Sequence, residues 1–296
     1  MTSKLLRRTA SVALLVAACL RPLAAEDPEI VAVLSSELPP YLEAVEGFQE
    51  AFSAPVPVLH PKNLSSEGLP RARVIVAFGG KAASLEYPEG TLVIACMAPT
   101  LPQGGRETRE VLMTPGMGAV LKNLRALQPG LRRIGVLWAS PGMSRYHAEM
   151  SKESEGSGLE VSSGKVTGPN DIPVVLRALA GRVDALWLTP DPALVTPGTF
   201  ETLRDFSRDN GIAFYVPTPG LVEQGATAAV ASSFRDIGRT AASAARDLLA
   251  GRPVPRKLSP ADARVIVGRR ASKRLGLKLP PEAIVVEEQT PGGGAP

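Results

Sequence analysis

The sequence predicts an α/β protein built as two successive layers, each a parallel sheet flanked by helices. Three observations carry this reading. Short apolar runs rich in β-branched residues recur along the chain, among them Ile134-Gly135-Val136-Leu137-Trp138 and Val183-Asp184-Ala185-Leu186-Trp187-Leu188, which suits buried strands of a parallel sheet. Between these two runs, Ile172, Val175, Leu176 and Leu179 fall on one helical face, with Asp171 placed to cap the start and Gly181 the end. Each run stops at a turn-forming cluster, Ala139-Ser140-Pro141-Gly142 or Thr189-Pro190-Asp191-Pro192. Strands separated by helices form a parallel layer. Ligands of such sheets sit outside the carboxyl ends of the strands, so the loops at Ser140 and Asp191 are the first places to look for function.

Residues 1–25 read as an export signal. Lys4, Arg7 and Arg8 make a basic start, and Thr9 to Leu20 is apolar but short for a bilayer span. Two exits compete. Val16-Ala17-Ala18-Cys19 is similar to a bacterial lipobox, which makes Cys19 a lipidated first residue; alternatively, cleavage falls after Ala24 or Ala25. The mature chain then opens on a strand over residues 29–34 ending at Ser35-Ser36, followed after Pro39-Pro40 by a helix with Leu42, Val45, Phe48 and Phe52 on one side. Strands follow at 56–59, at 73–78 ending at Gly79-Gly80, and at 91–97, before a Pro- and Gly-rich loop over 99–107. Met117, Val120, Leu121, Leu124 and Leu127 mark an amphipathic helix closed by Pro129-Gly130, and Leu131 starts the second layer.

Past Asp191, helices are predicted at 200–208, 221–224, 236–250 and 271–275, and strands at 212–216, 225–231, 264–267 and 284–286. Ser232-Ser233-Phe234 reads as a cap or a crossing between the layers, and the helix after it is rich in alanine, which permits close approach of another helix. The end from Thr290 reads as a frayed tail.

Composition narrows the function. Hydrophobic residues make up 44% of the 296 and charged residues 21%, which is globular. Lys4, Arg7 and Arg8 supply three of the formal +4 charges, so the mature chain is nearly neutral and offers no electrostatic footprint for nucleic acid. With Cys19 processed, Cys96 is left without a partner and reads as a small buried hydrophobe. Two histidines, His60 and His147, cannot make a histidine-rich metal site, and neither has a nucleophile partner in view. No Gly-x-Gly-x-x-Gly, Walker loop or Gly-x-Ser-x-Gly follows a strand, so the chain is not expected to be an enzyme and needs no cofactor.

The order of several segments resembles the ABC-transporter substrate-binding proteins of the uncharacterised, tryptophan- and branched-amino-acid-binding kind. The segments are Glu46-Gly47-Phe48, Arg133-Ile134-Gly135-Val136-Leu137, Val183-Asp184-Ala185, Pro190-Asp191, Gly225-Ala226, Ile237-Gly238-Arg239 and Ala271-Ser272-Lys273-Arg274-Leu275-Gly276-Leu277. The likeness is good over residues 130–280 and weak over 28–130. It implies two Rossmann-like lobes of a type I periplasmic-binding-protein fold, joined by a hinge that the chain crosses several times. It implies capture of an amino-acid-like solute between the lobes, delivery to a membrane permease, and a monomer in the periplasm or on the outer face of a bacterial membrane. The implied division is 26–130 plus 234–260 for the first lobe and 131–233 plus 261–289 for the second, with 290–296 a tail. The chain departs from the family at Cys96-Met97-Ala98-Pro99, which lacks its Asp-Pro-Val-like stretch, and at Ala231-Ser232-Ser233-Phe234, where Gly-Val-Asp-Tyr is common.

Candidate ligand contacts follow from the strand-end rule. Ser35, Ser36, Gly79 and Gly80 offer hydroxyls and free backbone N–H groups for a carboxylate, or serve as ordinary turns and caps. Ser140, Asp191 and Thr218 follow strands of the second layer; Asp191 suits a ligand ammonium or a helix cap. Trp138 and Trp187 suit stacking or core packing, Phe234 a cleft aromatic, and Tyr215 a half-buried place in the core.

Overall fold

The computed structural model describes residues 28–60, 68–69, 71–98, 107–141, 143–191 and 193–289. The expected export signal with Cys19, most of the loop after Ala98 and the tail from Thr290 lie outside the described residues. Along the chain come β1 (Ile30–Leu34), α1 (Pro39–Phe52), β2 (Val58–Leu59), β3 (Val74–Phe78), α2 (Gly80–Ala83), β4 (Leu92–Cys96) and β5 (Thr108–Val111). There follow α3 (Met117–Leu127), β6 (Arg133–Trp138), α4 (Met143–Glu155), β7 (Glu160–Lys165), α5 (Ile172–Leu179), β8 (Ala185–Leu188), α6 (Pro197–Asp209), β9 (Ala213–Val216), α7 (Gly220–Glu223) and β10 (Ala228–Ala231). The last elements are α8 (Phe234–Leu249), β11 (Lys257–Leu258), β12 (Arg264–Gly268), α9 (Arg269–Leu275) and β13 (Ile284–Val286).

Two sheets result. The first has six strands in the order β11-β5-β4-β3-β1-β2, every pair parallel. The second has seven, β13-β12-β10-β9-β8-β6-β7, parallel except for β10 against β12. All five residues of β1 and of β3 are buried, as strands covered on both faces require. On one face of the first sheet, α1 and α8 pack Ala44, Phe48, Ile237, Ala241 and Ala245 onto Leu34, Val76 and Phe78. Phe48 meets Phe78 edge-on at 6.0 Å; burying such a ring contributes about 1.5–3 kcal/mol. The second sheet has α3 and α4 on one face and α5, α6 and α7 on the other.

The helices α1 and α8 lie unusually close, and two glycines allow it. A Cβ on Gly238 would stand 1.8 Å from the Ala44 carbonyl oxygen, and one on Gly47 would stand 2.2 Å from that of Arg235. Arg235 reinforces the contact by pairing with Glu46 at 2.8 Å and with Glu50.

Some expectations change. The helix α3 packs Val120, Leu121 and Leu124 with Ile134 and Val136 in the second core, so the residues before 130 do not all belong with the first sheet. Asp171 makes no side-chain cap on α5. Its carboxylate instead accepts from the Thr167 N–H at 2.8 Å and hydroxyl at 2.5 Å. Those bonds, the hydroxyl one ahead of the others, outweigh a small opposing effect of burial and hold its carboxyl below the usual range. Gly181 does terminate that helix, in the left-handed region at φ +68°. Tyr215 is fully buried rather than half-buried, its hydroxyl donating to Gln128 Oε1 at 3.0 Å.

Candidate functional site

Among the described residues, the chain passes between the sheets three times, through residues 112–116, 232–233 and 259–263. Each passage starts or finishes at the carboxyl ends of the parallel strands. Residues 112–116 run from the end of β5 to the start of α3, the crossover helix that precedes β6. Residues 232–233 leave the end of β10 and enter α8, which then runs back so that β11 can start parallel to β5. Residues 259–263 leave the end of β11 and enter β12, whose antiparallel pairing places Arg264 beside Ala231 at the end of β10. The connections are short, so the strand tips of the two sheets face one another. Glu43 of α1 and Arg264 of β12 reach towards each other across this junction, 3.9 Å apart.

On the first sheet's tips, Ser35, Gly79 and Gly80 form one patch. The Ser35 N–H donates to the Phe78 carbonyl at 2.8 Å, and its Oγ accepts from the Ala82 N–H at 2.9 Å. Among the described residues, the hydroxyl proton of Ser35 has no acceptor. Gly79 has φ +101°, and a Cβ there would stand 2.5 Å from Ser35 Oγ and 2.7 Å from Tyr41 Cε1, so only glycine fits. Gly80 faces open space, with nothing within 4 Å of where its Cβ would be. Ser36 Oγ accepts from the Leu38 N–H at 3.2 Å. Met97, just past β4, has φ +55° although it is not glycine; such strain collects at ligand sites.

On the second sheet's tips, Ser140 and Asp191 are brought together. Asp191 Oδ2 accepts from the N–H groups of Ala139 (2.8 Å) and Ser140 (2.9 Å). Its Oδ1 accepts from Ser140 Oγ (2.5 Å) and the Ala193 N–H (3.1 Å). The side chain is fully buried, and these four bonds fill its lone pairs. Burial pulls the Asp191 carboxyl up, but the hydrogen bonds from Ser140, Ala139 and Ala193 together outweigh it and hold the carboxyl below the usual range. Asp191 therefore staples the loop after β8 to the loop after β6. Among the described residues, no donor reaches the Ser140 Oγ lone pairs.

Trp138 is half-buried, stacked on His147 at 6.3 Å with Lys165 Nζ 5.3 Å from its ring. Trp187 is core, its Nε1 donating to the Tyr146 hydroxyl at 3.0 Å. Thr218 is exposed at the tip of β9. Phe234 is the first residue of α8 and packs half-buried on the first core. Ser233 caps that helix, its Oγ accepting from the Asp236 N–H at 3.1 Å. Burial drives the Cys96 thiol far above its ordinary value, which makes it inert. Among the described residues, no three His, Cys, Asp or Glu side chains stand where they could hold a metal.

Two residues join the site that sequence reasoning did not single out. Tyr41 lies on Gly79, and Ser232, in the passage from β10 to α8, has a buried hydroxyl without a hydrogen-bond partner among the described residues. The signal for Tyr41 was Gly79-Gly80 itself, since a glycine at a strand tip leaves room for a ring.

A family model described as ABC transporter substrate binding protein matches residues 119–290. No curated protein matches the chain. Among solved structures, the fold is similar to the ligand-free, open structure of a substrate binding protein with adhesive properties from Clostridium difficile. The TM-score is 0.62 at 17% identity, over 89% of this chain and 100% of that one. It is also similar to an ABC domain in complex with L-Trp from Streptococcus pneumonia, with TM-score 0.50 at 18% identity, over 88% of this chain and 100% of that one. At such identities the likeness is one of fold.

Proposed function

The chain belongs to the ABC transporter substrate binding protein family, with the two-lobed type I periplasmic-binding-protein fold, and we propose from this premise that it is an exported, non-catalytic binding protein for a small amino-acid-like solute. The solute sits between the lobes, and the loaded protein, a monomer, presents it to a membrane permease in the periplasm or on the outer face of the membrane. Cys19 is the proposed lipid attachment point in the export signal.

The observation that carries this reading is the facing of the two sets of strand tips. The first sheet offers the Ser35 hydroxyl proton and the open backbone at Gly80 to a carboxylate. The second offers Ser140, Thr218 and the Trp138 ring, while Asp191 positions Ser140 instead of touching the solute. Phe234 and Ser36 line the approach as apolar and polar neighbours. The proposed lobes are the two packing units, with α3 assigned to the second and α8 to the first.

Thermal melting against a panel of amino acids and nucleosides tests it. A ligand at a hundredfold excess over its Kd stabilises by about 2.7 kcal/mol, which raises Tm by roughly 5 °C for a chain of this size. One observation favours a second reading, an envelope protein that acts through a protein partner: the Asp191 carboxylate is filled internally, which removes it as a partner for a ligand ammonium. A panel in which no compound moves Tm decides for that reading.

A further inference from the structure

At the opposite end of the second sheet from the tips lies a cavity of about 200 Å³ into which four arginines converge: Arg204, Arg208, Arg270 and Arg274. Arg204 and Arg208 come from the last turns of α6, which leads into the start of β9. Arg270 and Arg274 come from α9, which follows the antiparallel strand β12. Both pairs therefore gather where the parallel strands begin, remote from the three passages.

The cations are only partly matched. Asp205 is shared between Arg204 at 3.1 Å and Arg208 at 3.2 Å, and Asp209, 3.7 Å from Arg208, is mostly exposed. Among the described residues, Glu288 is the one carboxylate that lines the cavity, and its oxygens accept from the N–H groups of Arg270 at 3.0 Å and Ala271 at 2.8 Å. The Arg270 guanidinium donates to the Glu288 backbone carbonyl and stands 3.8 Å from the Glu288 carboxylate. Arg274 has no ion pair or hydrogen bond among the described residues and is exposed. Arg204 also donates to the Gln224 carbonyl at 3.5 Å. Among the described residues, the protein's own acceptors thus account for part of this cluster and leave Arg274 unmatched and Arg208 sharing Asp205 with Arg204. Guanidinium forks recognise oxyanions in two-point contacts, and several forks around a concave wall suit a dianion better than a single carboxylate.

We infer that this cavity binds a phosphate group, independently of the solute site between the lobes. The same chemistry is presented by free phosphate or pyrophosphate and by an anionic lipid headgroup. Isothermal titration of the full chain with inorganic phosphate and with pyrophosphate at low ionic strength is expected to show one site. Arg208→Gln and Arg274→Gln, both at exposed side chains whose removal leaves the fold intact by circular dichroism, are each expected to weaken it about tenfold, as loss of one charge-assisted contact does. Arg252→Gln, the same charge change on the first lobe, is expected to leave it unmoved. Sedimentation with phosphatidylglycerol vesicles separates the sources: binding that Arg274→Gln abolishes assigns a headgroup, and titration heat without vesicle binding assigns a free phosphate. Absence of both, or equal loss in all three variants, overturns the site.

Discussion

Two aspartates bracket β8, and both hold β6. Asp184, just before the strand, accepts from the N–H groups of Arg132 (3.0 Å) and Arg133 (2.8 Å) and from the Arg133 guanidinium (2.8 Å). Asp191, just after it, accepts from Ala139 and Ser140 at the other end of β6. Both carboxyls lie below the usual range because donors outweigh the opposing effect of burial. Asp191→Asn keeps the shape but aims an NH₂ group at donors, so it is expected to cost about 2–3 kcal/mol at neutral pH, read by urea denaturation. The contribution is that of a depressed carboxyl. It is complete above the unfolded value near 4 and fades as pH falls through the lower folded value. The stability gap between the parent protein and this variant should therefore close below about pH 4. The sequence already marked Ser140 and Asp191 as tip residues. It did not show that they bond to each other, because the partners are 51 residues apart and only the pairing of β6 with β8 joins them.

Among the elements, the contact between α1 and α8 decides most. Gly238→Ala forces Ala44 and the helix around it away, and overpacking of this kind costs about 3 kcal/mol. Gly118→Ala is the contrast. Gly118 sits in α3 with only the end of Glu153, at 3.4 Å, near the added methyl, so it should stabilise by about 0.5–1 kcal/mol through helix propensity. Melting of the two variants checks both signs. These glycines at the helix contact stand within the short segments, Glu46-Gly47-Phe48 and Ile237-Gly238-Arg239, on which the family resemblance rested, so a packing requirement underlies part of that resemblance. The strands that sequence reasoning passed over share a cause. β7 is an edge strand reading Glu-Val-Ser-Ser-Gly-Lys, with only half-buried and exposed residues, so it carries no apolar run. β5 reads Thr-Arg-Glu-Val, and β11 has two residues. A strand that borrows its burial from neighbours leaves little trace in its own residues. The strands buried on both faces, β1, β3 and β6, were legible for the opposite reason.

For the molecule as a whole, neither sheet is built from one continuous stretch of chain. The first core takes Ile237, Ala241, Ala245 and Leu248 from α8, nearly two hundred residues beyond α1. A fragment of residues 28–130 lacks that cover and leaves the Phe48 and Phe78 face bare. It is expected to stay unfolded by circular dichroism, where a self-sufficient domain would give native-like helix content. The three passages also have a mechanical meaning. Two of them run side by side, tied by the Leu112 N–H to the Leu258 carbonyl at 2.8 Å and the Gly116 N–H to the Pro260 carbonyl at 3.2 Å. The third is the two-residue step into the glycine-packed helix α8. Straps fastened along one seam resist twisting and sliding but yield to bending. Whatever opens or shuts this molecule must therefore swing as a book does about its spine, along a single soft coordinate.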